Sequence, residues 1–283
     1  MKRRLAFVQH CVLFATPLIA GSVLGTAPSQ AATFAYSGGD FNFTNINQTP
    51  LGIGTETNTD TLAIGNGGNV DTFAQAGAVF LVSPPKASTS GLSVALGENK
   101  DYLGEAESQS KVIGNFVVEA NTPFSFDFTA NLDLETSIDN PPAENARAAG
   151  DISFKLIDTT NNSVLDFFSL TGNLATQGDN DFIAYQKSDN VTVRELAVPA
   201  SEFGGNQEYA TASLGGSLQR SFTNKTNLAL VQVKSNRTRV TAPEPSSTLA
   251  LLCCGSVIGL IANAKRKAMT SARSLKENLA AKG

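Results

Sequence analysis

Apolar and polar residues alternate with a period of two through much of the middle of this chain. In residues 122–129, three phenylalanines occupy every second position and polar residues occupy the positions between them. Residues 151–158 repeat the pattern with Ile152, Phe154 and Leu156. Alternation of this kind is typical of antiparallel strands that bury one face. The pattern predicts antiparallel β-structure with phenylalanine as the main core residue.

Other segments rich in β-branched and aromatic residues extend this prediction. We predict further strands at residues 34–43, 78–82, 92–96, 111–119, 163–170, 182–187, 191–198, 212–222 and 228–240. Turn-forming residues 158–163 predict one hairpin, and residues 187–190 are interpreted as the turn of another. Residues 71–76 are interpreted as a short helix. Short strands separated by turns predict an all-β fold, with residues 32–242 as a single β-sandwich of jelly-roll type.

The first 31 residues have the order of a secretory signal peptide. A Lys-Arg-Arg run follows Met1, and residues 5–24 are largely apolar. Ser29 and Ala31 are small residues at the two positions that signal peptidase reads, so we predict cleavage between Ala31 and Ala32. A retained N-terminal anchor is the alternative.

The other end of the chain combines three features in order. They are a Pro-Glu-Pro tripeptide, an uncharged apolar run and a basic cluster: Pro243, Glu244, Pro245; residues 248–264; Lys265, Arg266, Lys267. The run is just long enough to cross a bilayer as a helix. Basic residues stay on the cytoplasmic side, so the cluster fixes the orientation of the helix. A buried core helix is the alternative.

These C-terminal features resemble the PEP-CTERM sorting signal, and the resemblance covers about the last forty residues. It implies a bacterial protein whose tail is recognised by an exosortase at Pro-Glu-Pro and removed, while the rest is passed to the cell surface. The family is typical of species that make extracellular polysaccharide. Residues 268–283 continue past the basic cluster, where the family's tail usually stops, and are predicted to be cytoplasmic. A permanently retained anchor is the alternative.

Charge and composition narrow the function of the exported segment. Residues 32–242 contain 12 basic and 23 acidic residues, a formal charge of −11. Such a surface repels nucleic acid and anionic lipid. The segment has no His, Cys or Trp, which removes Ser-His-Asp and Cys-His catalysis, ordinary zinc sites and haem or iron–sulfur ligation. We therefore predict a protein that is not an enzyme and has no nucleic-acid partner.

Carboxylates are the strong chemical groups that remain. Asp179 and Asp181 flank Asn180 on a predicted turn, where oxygen ligands suit a hard cation such as calcium. A solvated turn is the alternative reading of that segment. Asp133 and Glu135 lie two residues apart and hence on one face of a strand, as a glycosidase pair or a cation site would require. Apart from calcium, no cofactor is predicted.

The expected function follows from the two terminal signals and the unreactive domain between them. We expect an exported cell-surface or extracellular-matrix protein, structural or adhesive, that is associated with exopolysaccharide. A carbohydrate-binding or carbohydrate-cleaving module that uses acidic residues is the alternative. The expected partners are signal peptidase, an exosortase-type processing enzyme, the membrane and extracellular polysaccharide. The expected route is a membrane-anchored precursor that then reaches the cell surface or matrix.

Overall fold

The computed structural model describes residues 32–242 except Gln177 and Asp179, and this part of the chain is built from β-strands without a helix. It therefore contains no helix that could cross a membrane. The predicted signal peptide and membrane span lie outside the described residues. In chain order the strands are β1 Ala32–Thr44, β2 Gly52–Gly65, β3 Asn69–Val82, β4 Pro85–Glu98, β5 Tyr102–Val118, β6 Thr122–Ser137, β7 Asn145–Asp158, β8 Ser163–Ala175, β9 Phe182–Lys187, β10 Val191–Glu202, β11 Gln207–Phe222 and β12 Thr226–Ala242. The predicted all-β class is confirmed.

The strands form two six-stranded antiparallel sheets. Sheet A has the order β10-β11-β6-β1-β4-β3, and sheet B has the order β2-β5-β12-β7-β8-β9. The pairing of β5 with β12 encloses the pairing of β6 with β11 along the chain, as successive pairs do in a jelly roll. The next enclosed pair would be β7 with β10, but β7 pairs with β8 and β12 while β10 pairs with β11. The topology thus shares two enclosed pairs with a jelly roll and departs from it at β7 and β10.

The predicted strands all fall within observed strands, to within one residue at the end of β5. Two local interpretations are wrong. Residues 71–76 belong to β3 and not to a helix, because their side chains alternate between the covered and the exposed face of sheet A. Residues 187–190 do not close a hairpin, since they connect β9 in sheet B to β10 in sheet A. The hairpin at residues 158–163 is confirmed by the pairing of β7 with β8.

Phenylalanine fills most of the space between the two sheets, as the alternation predicts. Phe154 of sheet B lies against Phe126 and Phe128 of sheet A, with ring centroids 5.3 Å apart in both pairs. All three rings are at most 2% exposed. Such edge-to-face contacts add about 0.5–1.5 kcal/mol per pair to the burial of apolar area. This Phe-rich cluster joins inner residues of both sheets into one core.

A layer of polar side chains separates the Phe-rich cluster from a second, smaller apolar cluster around Ala35 and Tyr102. The inner row of β12 shows the change most clearly. In order it reads Leu228, Leu230, Gln232, Lys234, Asn236, Thr238, Val240 and Ala242, all of them buried. We define the polar layer as eight of the buried polar residues on β1, β4, β5 and β12: Ser37, Thr89, Ser93, Ser108, Ser110, Gln232, Lys234 and Asn236.

The beginning of β1 and the end of β12 lie at the same end of the two sheets. The hydroxyl of Tyr102 lies 2.5 Å from Thr33 Oγ1. Tyr102 is also the register partner of Ala242, the last residue of β12. Both ends of the fold therefore meet beside the smaller apolar cluster.

A buried carboxylate ties the two sheets together at the crossover between β9 and β10. Asp166 on β8 is 1% exposed, and its Oδ2 lies 2.9 Å from Nη1 of Arg220 on β11. It also accepts hydrogen bonds from Ser188 Oγ at 2.8 Å and Asn190 Nδ2 at 3.1 Å, both in the crossover. The carboxylate thus connects sheet B, the crossover and sheet A.

Replacing Asp166→Ala is expected to lower the free energy of unfolding by about 3 kcal/mol, because it removes three hydrogen bonds and leaves Arg220 without its buried partner. The matched control is Glu119→Ala, which breaks the exposed pair with Lys225 and should cost less than about 1 kcal/mol. Urea unfolding of the purified variants measures both. Equal losses would show that Asp166 does not hold the sheets together.

Candidate functional site

The outer faces of the two sheets carry different charge patterns. On sheet B, ion pairs cross between neighbouring strands at Lys111–Glu56, Arg237–Glu107 and Arg239–Glu105. On sheet A, β1 and β6 contain no lysine or arginine at all, and the one basic residue of β11, Arg220, is paired with Asp166. The centre of the outer face of sheet A is therefore acidic and polar, without a neutralising cation.

Three adjacent strands of sheet A place an acid between two tyrosines. Glu135 on β6 is the register partner of Tyr36 on β1 and of Tyr209 on β11. Asp133, two residues away on the same face, lies between Gly38 and Thr211. We call Tyr36, Asp133, Glu135 and Tyr209 the acid–aromatic patch.

Gly38 allows the ring of Tyr36 to lie along its own strand. A Cβ atom at Gly38 would come within 2.4 Å of the Tyr36 hydroxyl, a distance that real side chains do not tolerate. Because Gly38 is paired with Asp133, the tyrosine hydroxyl is carried toward the row that holds this carboxylate. Any larger residue at position 38 would lift the ring off the sheet.

The pKa values of the patch reflect its crowding. Burial raises the pKa of Asp133. Burial and then the charge of Asp133 raise the pKa of Glu135. Burial, followed by the charges of Asp133 and Glu135, raises the pKa of Tyr36 above its ordinary value. The charges of these groups therefore interact. A ligand that donates hydrogen bonds to the two carboxylates would stabilise their ionised forms.

A ladder of hydrogen bonds between polar side chains lies beside the patch on the same sheet. Asn131 Nδ2 donates to the carboxylate of Asp40 at 3.1 Å, and Asn42 Nδ2 donates to it at 2.9 Å. Ser213 Oγ donates to Asn131 Oδ1 at 2.6 Å. The ladder crosses β1, β6 and β11, the same strands that supply the patch. Fixed donors and acceptors next to an exposed ring such as that of Tyr209 are the elements from which sites for hydroxyl-rich ligands are built.

The structure brings together one of the two predicted acidic pairs. Asp133 and Glu135 share the outer face of sheet A, as their spacing predicts. Asp179 lies outside the described residues, while Asp181 Oδ1 accepts a hydrogen bond from the backbone N–H of Ala175 at 2.8 Å. The carboxylate of Asp181 also lies close enough to Glu208 to help raise the pKa of that buried acid, after burial itself. Over the part of the chain that is described, no three His, Cys, Asp or Glu side chains are grouped as metal ligands.

Other predicted site residues fall outside the described part of the chain. These are Ala31 of the cleavage site and all of the sorting-signal residues, Pro243, Glu244, Pro245, Lys265, Arg266 and Lys267. Sequence reasoning missed Tyr36 and Tyr209 as site residues. Both tyrosines lie on strands whose outward positions are polar, and this pattern was visible in the sequence. That both tyrosines lie next to Glu135 follows only from the strand order.

The pKa of Tyr36 tests the geometry of the patch. In an Asp133→Asn, Glu135→Gln double variant this pKa should fall, because two negative charges next to the phenolate are removed. It should remain above 10.0, because burial is the largest cause of the shift and is unchanged. Ultraviolet titration of tyrosine ionisation, with Tyr36→Phe in each background to subtract the other tyrosines, gives the value. An unchanged pKa would separate Tyr36 from the two acids.

Comparison with known proteins identifies no related protein. No protein-family model matches the chain, and neither the curated proteins nor the solved structures yield a match. The acid–aromatic patch and the two predicted terminal signals are therefore the features that bear on function.

Proposed function

We propose that residues 32–242 are a single exported β-sandwich that acts as an adhesive cell-surface or extracellular-matrix protein by binding exopolysaccharide through the acid–aromatic patch. The observation that carries this proposal is the row Tyr36–Glu135–Tyr209 on a face whose central strands lack free cations. The protein is not an enzyme in this proposal, and it needs no cofactor.

The chemistry of the patch suits neutral polysaccharide. A tyrosine ring offers an apolar face to the C–H groups of a sugar, and its hydroxyl remains available for hydrogen bonding. Carboxylates and amides accept hydrogen bonds from sugar hydroxyls, which are plentiful on every residue of the polymer. Acidic polysaccharide would be repelled by Asp133, Glu135 and Asp40, since no lysine or arginine on β1 or β6 offsets them.

Binding is favoured over cleavage by the placement of the two acids. Glycoside hydrolysis requires one protonated and one ionised carboxyl group on opposite sides of the scissile bond, within a cleft. Asp133 and Glu135 instead project from one strand onto an open sheet face, and burial raises the pKa of both. Their environments are too similar to give them the separate roles of acid and nucleophile.

Export is supported by the surroundings of the first described residue. The backbone N of Ala32 donates to Asp139 Oδ2 at 3.0 Å. Cleavage between Ala31 and Ala32 would turn this N–H into an ammonium group and the contact into a charge-assisted hydrogen bond, which is the stronger kind. At the other terminus, β12 ends at Ala242, and the Pro-Glu-Pro of the proposed sorting signal follows directly in the sequence.

The remaining partners and ligands of the proposal follow from the resemblance of the tail and from the acidic surface. An exosortase-type enzyme would act at Pro243, Glu244 and Pro245, with the basic cluster from Lys265 to Lys267 on the cytoplasmic side. Calcium binding by Asp179 and Asp181 stays a separate prediction. The carboxylate of Glu208 lies near Asp181 and would be a further oxygen ligand for the ion.

Removing the exposed ring of Tyr209 is expected to weaken binding to a neutral polysaccharide about fivefold, the equivalent of one stacking contact of about 1 kcal/mol. Tyr185→Ala is the matched control, because Tyr185 is similarly exposed, 46% against 41% for Tyr209, but lies on sheet B. Affinity electrophoresis of the purified variants through gels that contain each polysaccharide measures the change. Equal effects of the two substitutions, or sugar release during the assay, would contradict a binding patch on sheet A.

The intact mass of protein released from the cell surface should correspond to a chain that begins at Ala32 and lacks residues 265–267. The new N-terminus is stabilised by Asp139, and the basic cluster stays with the discarded tail in the proposed processing. Mass spectrometry of surface washes makes the measurement, with the total cell extract as the control for unprocessed precursor. A chain that retains Met1 and Gly283 would rule out both processing steps.

A further inference from the structure

Lys234 is a cation in the interior of the protein without an anionic partner in contact. Its side chain is 0% exposed and belongs to the polar layer between the sheets. Its Nζ donates to Asn236 Oδ1. Among the described residues no carboxylate oxygen lies within 4.0 Å of this nitrogen. An unpaired charge at such a depth is costly, so the charged form of Lys234 needs more stabilisation than its hydrogen bond to Asn236 provides.

Several buried polar groups beside Lys234 also lack a partner among the described residues. They are both side-chain polar atoms of Gln232, the hydroxyl of Ser110 and the hydroxyl of Thr89. All three residues are at most 2% exposed. Native proteins leave few buried polar atoms unsatisfied, and such atoms commonly mark a bound water or ion.

The strand register places these groups in one region of the polar layer. Ser110 is the direct partner of Lys234 across β5 and β12, and Gln232 is two residues away on the same inner row. Thr89 lies on the buried inner row of β4 in sheet A. Two residues further along β4, a Cβ atom on Gly91 would lie 2.3 Å from Asn236 Nδ2 and 3.1 Å from Ser108 Oγ, so β4 lies directly over β5 and β12 at this level.

We propose that this part of the polar layer binds a small monovalent anion of the size of chloride, held by Lys234, Gln232 and Ser110. The group has more donors than acceptors. A charged Lys234 keeps two N–H groups beyond Asn236, Gln232 offers an NH₂ group, and Ser110 offers a hydroxyl. Water could accept some of these hydrogen bonds but would leave the charge uncompensated, whereas a halide accepts all of them and neutralises the ammonium.

Protonation of Lys234 controls the site. Burial lowers the pKa of Lys234 to about 7, and the charges of Asp40 and Asp151 offset this in part. Asp40 on β1 and Asp151 on β7 are the charged groups that act on Lys234 from the neighbouring strands, whereas β4 and β5 present the uncharged Thr89 and Ser110. Because an anion binds the ammonium form, its affinity should be higher below this pKa than above it.

The same pKa sets the dependence of stability on pH in the absence of the anion. The unfolded chain keeps the Lys234 proton up to its ordinary pKa of 10.5, while the folded protein releases it near 7. Between these values the unfolded state binds more protons, so stability rises with pH. Below about 7 both states are protonated, and the folded state carries the full penalty of the buried charge. A bound anion should relieve that penalty where it is largest.

The test measures the melting temperature of the purified full chain as chloride replaces a bulky organic anion at constant ionic strength. At about pH 6, the melting temperature should rise by about 3–5 °C for each tenfold increase of chloride above the dissociation constant. The rise should be much smaller at about pH 9, where Lys234 is mostly neutral. Crystals grown in bromide should show anomalous scattering beside the Lys234 Nζ.

Variants separate this site from general salt effects. Lys234→Met should abolish the chloride dependence, and Lys155→Met, at an exposed position of β7, should leave it unchanged. If Lys234→Met fails to fold, Gln232→Met removes one donor while keeping the cation, and it should weaken the dependence. The proposal is overturned if the melting temperature is the same in both anions at pH 6, if Lys155→Met removes the effect, or if bromide is absent from the layer and water occupies it.

Discussion

The contact between the inner row of β12 and the inner row of β4 sets how closely the two sheets can approach. Packed sheets are ordinarily about 10 Å apart, yet Cα atoms of β12 and β4 come within 8 Å of each other. Gly91 makes this possible, because the amide of Asn236 occupies the space that a side chain on β4 would fill. Ser93 adds a direct link, since its Oγ lies 3.2 Å from both Ser108 Oγ and the carbonyl oxygen of Asn236. Small polar residues hold the sheets close here, and phenylalanine rings hold them apart further along.

The polar layer also determines which side chains lie on the outer face of sheet A. Ser37 Oγ lies 2.8 Å from the carbonyl oxygen of Ala149 and 3.2 Å from Asn236 Oδ1, and these contacts fix the inner face of β1 against sheet B. Since successive side chains of a strand point to opposite faces, this contact turns Tyr36 outward. A shift of β1 by one residue would bury Tyr36 and expose Ser37. The acid–aromatic patch is therefore positioned by polar contacts on the opposite side of its own sheet.

The sequence was most informative where one face of a strand is buried. The alternation around Phe126 and Phe154 predicted strands and core together, because both strands bury every second residue. Strand β2 gave no such signal, since most of its residues are exposed and threonine alternates with acidic and amide residues. The pair Asp133 and Glu135 could be predicted because its geometry is local to one strand. The flanking tyrosines could not, because β1, β6 and β11 become neighbours only through long-range pairing.

The polar layer also selects one alignment of the strands over its competitors. Apolar residues alone would tolerate several registers of β12, since leucine, valine and alanine can pack against many surfaces. A shift of two residues would keep every side chain of β12 on its present face, but it would carry the polar run toward one of the two apolar clusters. The ammonium of Lys234 or the amide of Gln232 would then lie against rings or methyl groups, at the cost of a buried group without hydrogen bonds. Buried polar residues fix register in coiled coils at some expense of stability. Here they would do so at the centre of sheet B, where β12 lies between β5 and β7 and its register sets that of both neighbours.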